Sequence, residues 1–244
     1  MTMLINQCRI EILRVFRNPY FVFWSLCMPI LFYFIFTKVM NYGNDHPIAN
    51  AHFLMSMAAF SVMGSAILTL GIRMVEEQTK GWSHYMRITP LSSTIYFFSK
   101  IVGQSLVHVF SITIIFLAGA LISGVSLPWF QWLMSGCWIL LGSLPFLMMG
   151  VLVGLMKRVD TAAGVSNVAY MLLAITGGMW MPMEFLPDTV QAIGKSLPAF
   201  HYGNGAWEII RGNAPDIQNV LILSAYFVGF MLLSNYIRKK KEAV

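Results

Sequence analysis

The stretch IVGQSLVHVFSITIIFLAGALIS, residues 101–123, contains no Asp, Glu, Lys or Arg. A helix that spans a bilayer needs about 20 consecutive, mostly apolar residues. The absence of these charged residues continues to Met156, through a second long apolar run. Two such runs in succession predict an all-α, polytopic membrane protein.

The composition of the whole chain agrees with this fold class. Of its 244 residues 57% are hydrophobic and 11% are charged, whereas a soluble domain carries about 25% charged residues. The net charge is +6, and the charged residues lie at the edges of apolar segments, as in a polytopic membrane protein. This distribution argues against a nucleic-acid partner. Cys8, Cys27 and Cys137 form no C-x-x-C pair, and we interpret them as small hydrophobic residues.

Six segments have the length and polarity of membrane spans. The fourth contains Pro145, which removes a backbone hydrogen bond and predicts a kink or a tilt. In the same span Gly150 and Gly154 have the G-x-x-x-G spacing that allows close helix packing. The predicted spans are Tyr20–Val39, Phe53–Ile72, Ile101–Ser123, Trp129–Met156, Thr161–Met181 and Ile217–Ile237.

Basic residues predict the orientation of these spans. All but three of the 16 Lys and Arg residues fall in the N-terminal segment, the second-to-third and fourth-to-fifth connections, or the C-terminal tail. The other side keeps Lys38, Lys195 and Arg211. Because cytoplasmic loops are enriched in Lys and Arg, we expect a multi-pass protein of the cell membrane with both termini in the cytoplasm.

Two segments outside the spans have amphipathic or broken patterns. Residues 3–17 predict an interfacial helix with Arg9, Arg14 and Arg17 on its polar side; the alternative is a short juxtamembrane segment that only anchors. Residues 182–216 are punctuated by four prolines and contain apolar stretches too short to span. They predict a re-entrant or interfacial hairpin on the outer side, and a plain external loop is the alternative.

The spans lack the groups that other transport and catalytic mechanisms need. No carboxylate lies inside a span to couple transport to ions, and His108 is interpreted as a neutral residue facing a neighbouring helix. The string IGKS at residues 193–196 is not a phosphate-binding loop, because Thr189 stands where glycine is required. We therefore predict no enzyme activity, metal site or bound cofactor, and an energy source on another polypeptide.

A polar stretch, VEEQTKGWSHYMRITP at residues 75–90, separates the second and third spans. We expect Glu76 and Glu77 at the start of a short helix, where the helix dipole favours anions. Trp82, Tyr85 and Met86 share one face, Lys80 and Arg87 point elsewhere, and Pro90 follows the end of the helix. Such an exposed amphipathic helix is suited to a groove on another protein, or alternatively to the lipid surface.

Three motifs in this order resemble the ABC transporter permeases of the type-two transmembrane class. In the first motif, Trp82 stands where threonine is common. The second motif is GGMWMPMEFLP at residues 177–187, in which Gly177 stands where serine is common. The third runs from Leu197 to Ala206 and is followed by Arg211-Gly212. The first motif comprises Glu76, Glu77, Lys80, Gly81 and Trp82 with Ile88, Thr89, Pro90 and Lys100.

This resemblance implies a single permease domain over residues 1–244 of a bacterial-type cell membrane protein. It implies a cytosolic ATPase dimer that uses ATP and Mg²⁺, and a second permease chain, identical or paralogous. Residues 76–90 would be the coupling helix, and the outer segment would form re-entrant helices with Gly177, Gly178, Pro182, Glu184, Pro187 and Pro198. The implied function is export of an amphiphilic drug, antibiotic or lipid-like compound; a sensing or immunity permease and a stand-alone secondary transporter are the alternatives.

Overall fold

The computed structural model of the chain describes residues 7–11, 13, 19–39, 47–81, 93–181 and 183–242. The segment 7–11 is helical, and no strand occurs anywhere in the described ranges. The all-α prediction is therefore confirmed for the described residues. One π-helical turn, Ile35–Val39, directly follows the first α-helix, and a second, Ser65–Thr69, lies between the second and third α-helices. A 3₁₀ turn covers Met183–Phe185. The α-helices are α1 (Pro19–Phe34), α2 (Pro47–Gly64), α3 (Leu70–Thr79), α4 (Ser93–Ser123), α5 (Trp129–Gly142), α6 (Leu144–Val153), α7 (Val159–Thr176), α8 (Asp188–Gly194), α9 (Pro198–Ile210) and α10 (Ile217–Glu242).

Five helical segments in the described part of the chain are long and apolar enough to cross a membrane. A shorter apolar helix, Leu26–Val39, covers the later part of the predicted first span. The multi-pass prediction is therefore confirmed, whereas the count of six spans stays a prediction. The five segments are Ile48–Thr79, Ile95–Ser123, Trp129–Val153, Val159–Thr176 and Ile217–Lys240.

The helix that runs through α2, the π-helical turn and α3 is the centre of the bundle. In the most apolar 18-residue stretch of the segment Ile48–Thr79, 94% of the residues are buried. In the corresponding stretch of Ile217–Lys240 only 11% are buried. Many of the buried residues of this helix are small residues or methionines, which pack closely against neighbours on all sides. Ala58, Ala59, Met63 and Ala66 are all fully buried. The helix continues to Thr79, well beyond the predicted end at Ile72.

Glycines let α6 lie directly against this central helix. A Cβ atom on Gly150 would collide with the carbonyl oxygen of Ala66, and one on Gly154 would lie 2.7 Å from Cβ of Met74. On the opposing helix, a Cβ atom on Gly71 would lie 2.8 Å from Val153. The glycines at positions 150 and 154 therefore serve close packing within this chain.

The predicted kink near Pro145 is present as a break between α5 and α6. The Ser143 N–H donates to the carbonyl of Leu140, three residues back, instead of to Ile139. The hydroxyl of Tyr202 donates to the Ile139 carbonyl at 2.8 Å and so satisfies it. A buried histidine also faces the break, with Nδ1 of His108 lying 3.3 Å from Oγ of Ser143.

Side-chain contacts show which segments share an end of the bundle. Nε2 of Gln78 donates to the carbonyl of Gly154 at 2.6 Å, which places the end of α3 beside the α6–α7 connection. The guanidinium of Arg238, near the end of α10, lies 5.5 Å from the ring centre of Phe97 at the start of α4. We call this the charged end, because the end of α3, the α6–α7 connection and the end of α10 lie together there, and each carries basic residues.

Candidate functional site

Ionic side chains from three chain segments converge at the charged end. Nζ of Lys100 lies 2.8 Å from Oε1 of Glu11 and 2.5 Å from Oε1 of Glu77. Arg73 reaches the second oxygen of Glu11 at 3.4 Å, and the hydroxyl of Tyr96 donates to the second oxygen of Glu77. We call these five residues the ionic junction.

Helical spacing explains how the junction forms. Residues four positions apart lie on the same face of a helix, so α3 presents Arg73 and Glu77 together and α4 presents Tyr96 and Lys100 together. The helical residues 7–11 bring Glu11 between these two faces. Three separate segments therefore contribute to one cluster.

Burial makes this cluster energetically important. The side chains of Lys100 and Glu11 are each 2% exposed, that of Glu77 is 14% exposed and that of Arg73 is 23% exposed. Among the five residues of the junction, two carboxylates face two cations. The Lys100 ammonium also lies 5.2 Å from the ring centre of Tyr96. Removing one partner from such a buried set leaves an uncompensated charge, which typically costs about 3–5 kcal/mol.

The junction lies between the end of α3 and the N-terminal part of α4, on either side of the connection that joins them. Glu77 lies on the helix that enters this connection, and Lys100 lies on the helix that leaves it. Their ion pair holds the two helices together, while Glu11 joins both to the N-terminal segment. A displacement of the connection would therefore be transmitted to both helices and to residues 7–11 as one unit.

The structure corrects the expected position of the two glutamates. Glu76 and Glu77 lie in the last turns of α3, whereas the sequence predicted them at a helix start. The helix extends because Gln78 bonds to Gly154 and the Lys80 N–H caps the carbonyl of Glu76. An anion near a helix C-terminus is unfavourable to the dipole; Lys100 and Tyr96 compensate this for Glu77.

The remaining residues of the predicted coupling helix are only partly described. Lys80 is exposed, and Gly81 has φ +80°, a left-handed conformation that glycine adopts without steric cost and that ends α3. Trp82, Tyr85, Met86, Arg87 and Pro90 lie outside the described residues. The coupling role of this segment stays a prediction.

The N-terminal helix is described for residues 7–11 and 13 only. Arg9 is exposed, as a polar-face residue should be, and Arg14 and Arg17 lie outside the described residues. Ile10 and Leu13 are about half exposed, whereas Glu11 is buried. The sequence interpretation missed Glu11, although it is the first acidic residue of the chain and the next is Asp45.

A second group of predicted residues lies at the opposite end, between α7 and α10. Gly177 ends α7, and a Cβ atom there would lie 2.8 Å from Cβ of Ala199, so this glycine lets α9 approach. Gly178 has φ +73° and turns the chain toward Met183. Pro182 lies outside the described residues. The other predicted residues stand in the 3₁₀ turn or at helix starts. Glu184 is exposed in the turn, Pro187 precedes α8 and Pro198 begins α9.

Helix α9 has 13 residues, too few to span a membrane, yet most of its side chains are buried. His201 lies 2.7 Å from Oδ1 of Asn219 and 2.8 Å from the carbonyl of Lys195. Glu208 accepts hydrogen bonds from Asn204, Asn219 and the N–H of Asp216. These polar contacts fix α9 to α8 and to the start of α10, and sequence reasoning had identified none of them.

Five apolar helical segments of membrane-spanning length in the described part of the chain identify a multi-pass membrane protein. The profile of the ABC-2 family transporter proteins matches residues 48–236, and the chain belongs to this family. A protein of Bacillus subtilis (strain 168), "Putative transport permease YvfS", is 57% identical over 245 residues, and the alignment covers 100% of each chain. The chain is thus a membrane permease subunit of an ABC transporter.

Proposed function

We propose that this permease exports an amphiphilic compound, such as a drug, an antibiotic or a lipid-like molecule, using ATP hydrolysed with Mg²⁺ by a separate cytosolic ATPase dimer. Two permease chains, identical or paralogous, enclose the substrate pathway. A sensing or immunity role for the same assembly is the second candidate. Membership of the ABC transporter family supports the ATPase partnership, because permeases of this family normally work with such a partner.

The observation that carries this proposal is the ionic junction beneath the α3–α4 connection. A partner that pushes on residues 80–92 needs a rigid base to move whole helices rather than bend a loop. Rigid-body displacement of packed elements is a common way to alternate access. The Lys100 bridge to Glu77 and Glu11 supports such a displacement, because it ties both ends of the connection to the N-terminal segment.

The proposed orientation places the charged end in the cytoplasm. Most Lys and Arg residues belong to the segments that meet there, and cytoplasmic loops are enriched in these residues. The α8–α9 hairpin then lies on the outer side as a re-entrant element. The burial of α9 against the bundle supports this proposal, because broken backbone at membrane depth needs cover from protein.

Reconstitution into proteoliposomes tests the power source. The permease is combined with the proposed cytosolic ABC ATPase, and movement of ethidium and of NBD-labelled phosphatidylethanolamine is followed by fluorescence. We expect transport only with both subunits and ATP. Transport by the permease alone, driven by a pH gradient, would contradict the proposal. Accumulation of the compound in cells lacking the permease separates export from sensing.

Two adjacent glutamates provide a matched test of coupling. Glu77→Gln removes an ion pair of the junction, whereas Glu76→Gln removes a carboxylate that forms no ion pair with the described part of the chain. We expect Glu77→Gln to lower ATP-driven transport more than Glu76→Gln does, with membrane insertion unchanged. Trp82→Ala should weaken ATPase association in a pull-down. Equal transport by the two glutamate variants would argue against the junction as the coupling base.

A further inference from the structure

An open groove runs along one side of the bundle between α4 and α5. Its volume is about 560 Å³, within the usual range of ligand pockets. Neighbouring residues on the same side, Val109, Leu117 and Leu133, are 43%, 54% and 51% exposed. The groove is therefore open along its length to whatever surrounds these two helices.

The lining of the groove accepts only apolar material. Among the residues that the structure describes, no charged side chain lines it. The hydroxyl of Thr113 already donates to the carbonyl of Val109 at 2.8 Å, so it has no hydrogen left to donate to a ligand. The thiol of Cys137 is a weak hydrogen-bonding group. A sugar, phosphate or ammonium group placed here would lose its hydration without compensation, and a hydrocarbon would not.

The length and position of the groove match one leaflet of a bilayer. Along α4 it extends from Val109 to Ala120, about 16 Å at 1.5 Å per residue. The hydrocarbon core of a bilayer is about 30 Å thick, so one leaflet accounts for about half of it. Val109 is also the middle residue of the segment Ile95–Ser123. The groove thus runs from mid-membrane toward the α4–α5 connection.

Small side chains keep the groove open. Its wall is closed by the rings of Phe116 and Trp132, whose centres lie 4.9 Å apart. Beside them Gly136 has no side chain, and a Cβ atom there would lie 3.6 Å from Phe116 and 3.7 Å from Ile112. These are ordinary contact distances, so a larger side chain at position 136 would enter the groove without displacing its walls.

We propose that this groove is a binding site for one acyl chain of a membrane phospholipid, with the chain end near Val109 and the ester end near the α4–α5 connection. Within a bilayer such a site is stabilised by close packing rather than by removal from water. The site concerns a lipid that remains bound beside the bundle, and it is independent of the compound that the permease transports and of the ATPase partner.

Depth-resolved photo-crosslinking tests the site on the full-length protein. The permease is reconstituted into vesicles of phosphatidylethanolamine and phosphatidylglycerol that contain a trace of a phospholipid with a diazirine on its acyl chain, either close to the ester or at the chain end. Peptide mass spectrometry then locates the adducts. We expect the ester-proximal probe to label Leu117–Ala120 and the chain-end probe to label Val109–Thr113 or Leu140.

Filling the groove provides the matched variant. Gly136→Leu should lower this labelling about tenfold, equivalent to a loss of about 1.4 kcal/mol in binding. Gly229→Leu makes the same change on α10, where no atom lies within 4 Å of the added Cβ, and should leave labelling of the groove unchanged. Labelling that follows exposure alone, equal on α4, α5 and α10 at both depths, would overturn the proposal even if Gly136→Leu fails to fold.

A second copy of the chain is the competing occupant of the groove. Cys137 lines it and is exposed, so it reports on such an arrangement. With Cys8 and Cys27 replaced by serine, a short bifunctional maleimide should give no cross-linked dimer through Cys137. Efficient dimer cross-linking would show that protein rather than lipid covers the groove.

Discussion

The Lys100 ammonium lies 2.8 Å from a carboxylate oxygen of Glu11, and each of these side chains is only 2% exposed. Lys100 lies in the N-terminal part of the long helix α4, and Glu11 belongs to the N-terminal helical segment. A buried contact of this kind holds two segments in one fixed arrangement, because neither charge can leave its partner without a large penalty. The base of the α3–α4 connection is therefore a rigid unit.

Neutralising Glu11 should destabilise the protein. Glu11→Gln leaves Lys100 and Arg73 with one carboxylate fewer in a buried site, and we expect a loss of about 3 kcal/mol. The measurement is the unfolding transition followed by tryptophan fluorescence in detergent micelles. Asp160→Asn is the control, because its pair with Arg158 is 3.8 Å long and both side chains are mostly exposed. Equal transitions for the two variants would contradict the role of the junction.

The hydroxyl of Tyr96 has a separable contribution. Tyr96→Phe removes its hydrogen bond to Glu77 and keeps the ring beneath Lys100. Hydrogen bonds to charged groups contribute about 1.5–3 kcal/mol, and we expect a loss in that range. Tyr236→Phe, at a residue that is 65% exposed, should change stability by less than about 0.5 kcal/mol. The same unfolding measurement compares the two; a neutral Tyr96→Phe would rule out the contribution.

The close packing of α6 on the central helix predicts opposite effects for two Gly→Ala substitutions. Gly150→Ala places a methyl group against the Ala66 carbonyl oxygen, and backbone cannot move aside cheaply. We expect a loss of at least about 2 kcal/mol or a failure to fold, judged by size-exclusion chromatography of a fluorescent fusion. Gly164→Ala meets no atom within 4 Å and should be neutral or stabilise by up to about 1 kcal/mol. If Gly150→Ala is equally well tolerated, the packing described here is incorrect.

One buried hydroxyl, that of Tyr202, contributes to the docking of α9 on α5. Tyr202→Phe leaves the Ile139 carbonyl without the donor that replaces its lost helical partner at the α5–α6 break. We expect a loss of about 1–3 kcal/mol in the detergent unfolding assay. The control is Tyr226→Phe, whose hydroxyl bonds to the Ser196 carbonyl at the exposed surface of the bundle, so its removal leaves no buried carbonyl without a donor. A smaller effect at Tyr202 than at Tyr226 would argue against this account.

The positions of the membrane helices followed from the sequence because they depend on local properties. About 20 uncharged residues in succession are stable only as a helix in lipid, whatever their neighbours are. The break at Pro145 is local in the same sense, because the proline ring removes a hydrogen bond of its own helix. The glycines at positions 177 and 178 were identified from a motif, but the partner that they admit, Ala199, was not.

The ends of the helices and the partners of the charges were decided by tertiary structure. The sequence predicted that the second span ends at Ile72, but contacts with α6 extend the helix to Thr79 and move Glu77 from an expected helix start to a helix end. Arg73 and Glu11 are 62 positions apart, and no periodic pattern links them. A residue's tendency to enter lipid is set by its own chemistry, whereas the partner of a buried charge is set by which surfaces the packed helices bring within about 4 Å of each other. The sequence therefore determined that this chain lies in a membrane, and the packing alone determined where its ionic junction forms.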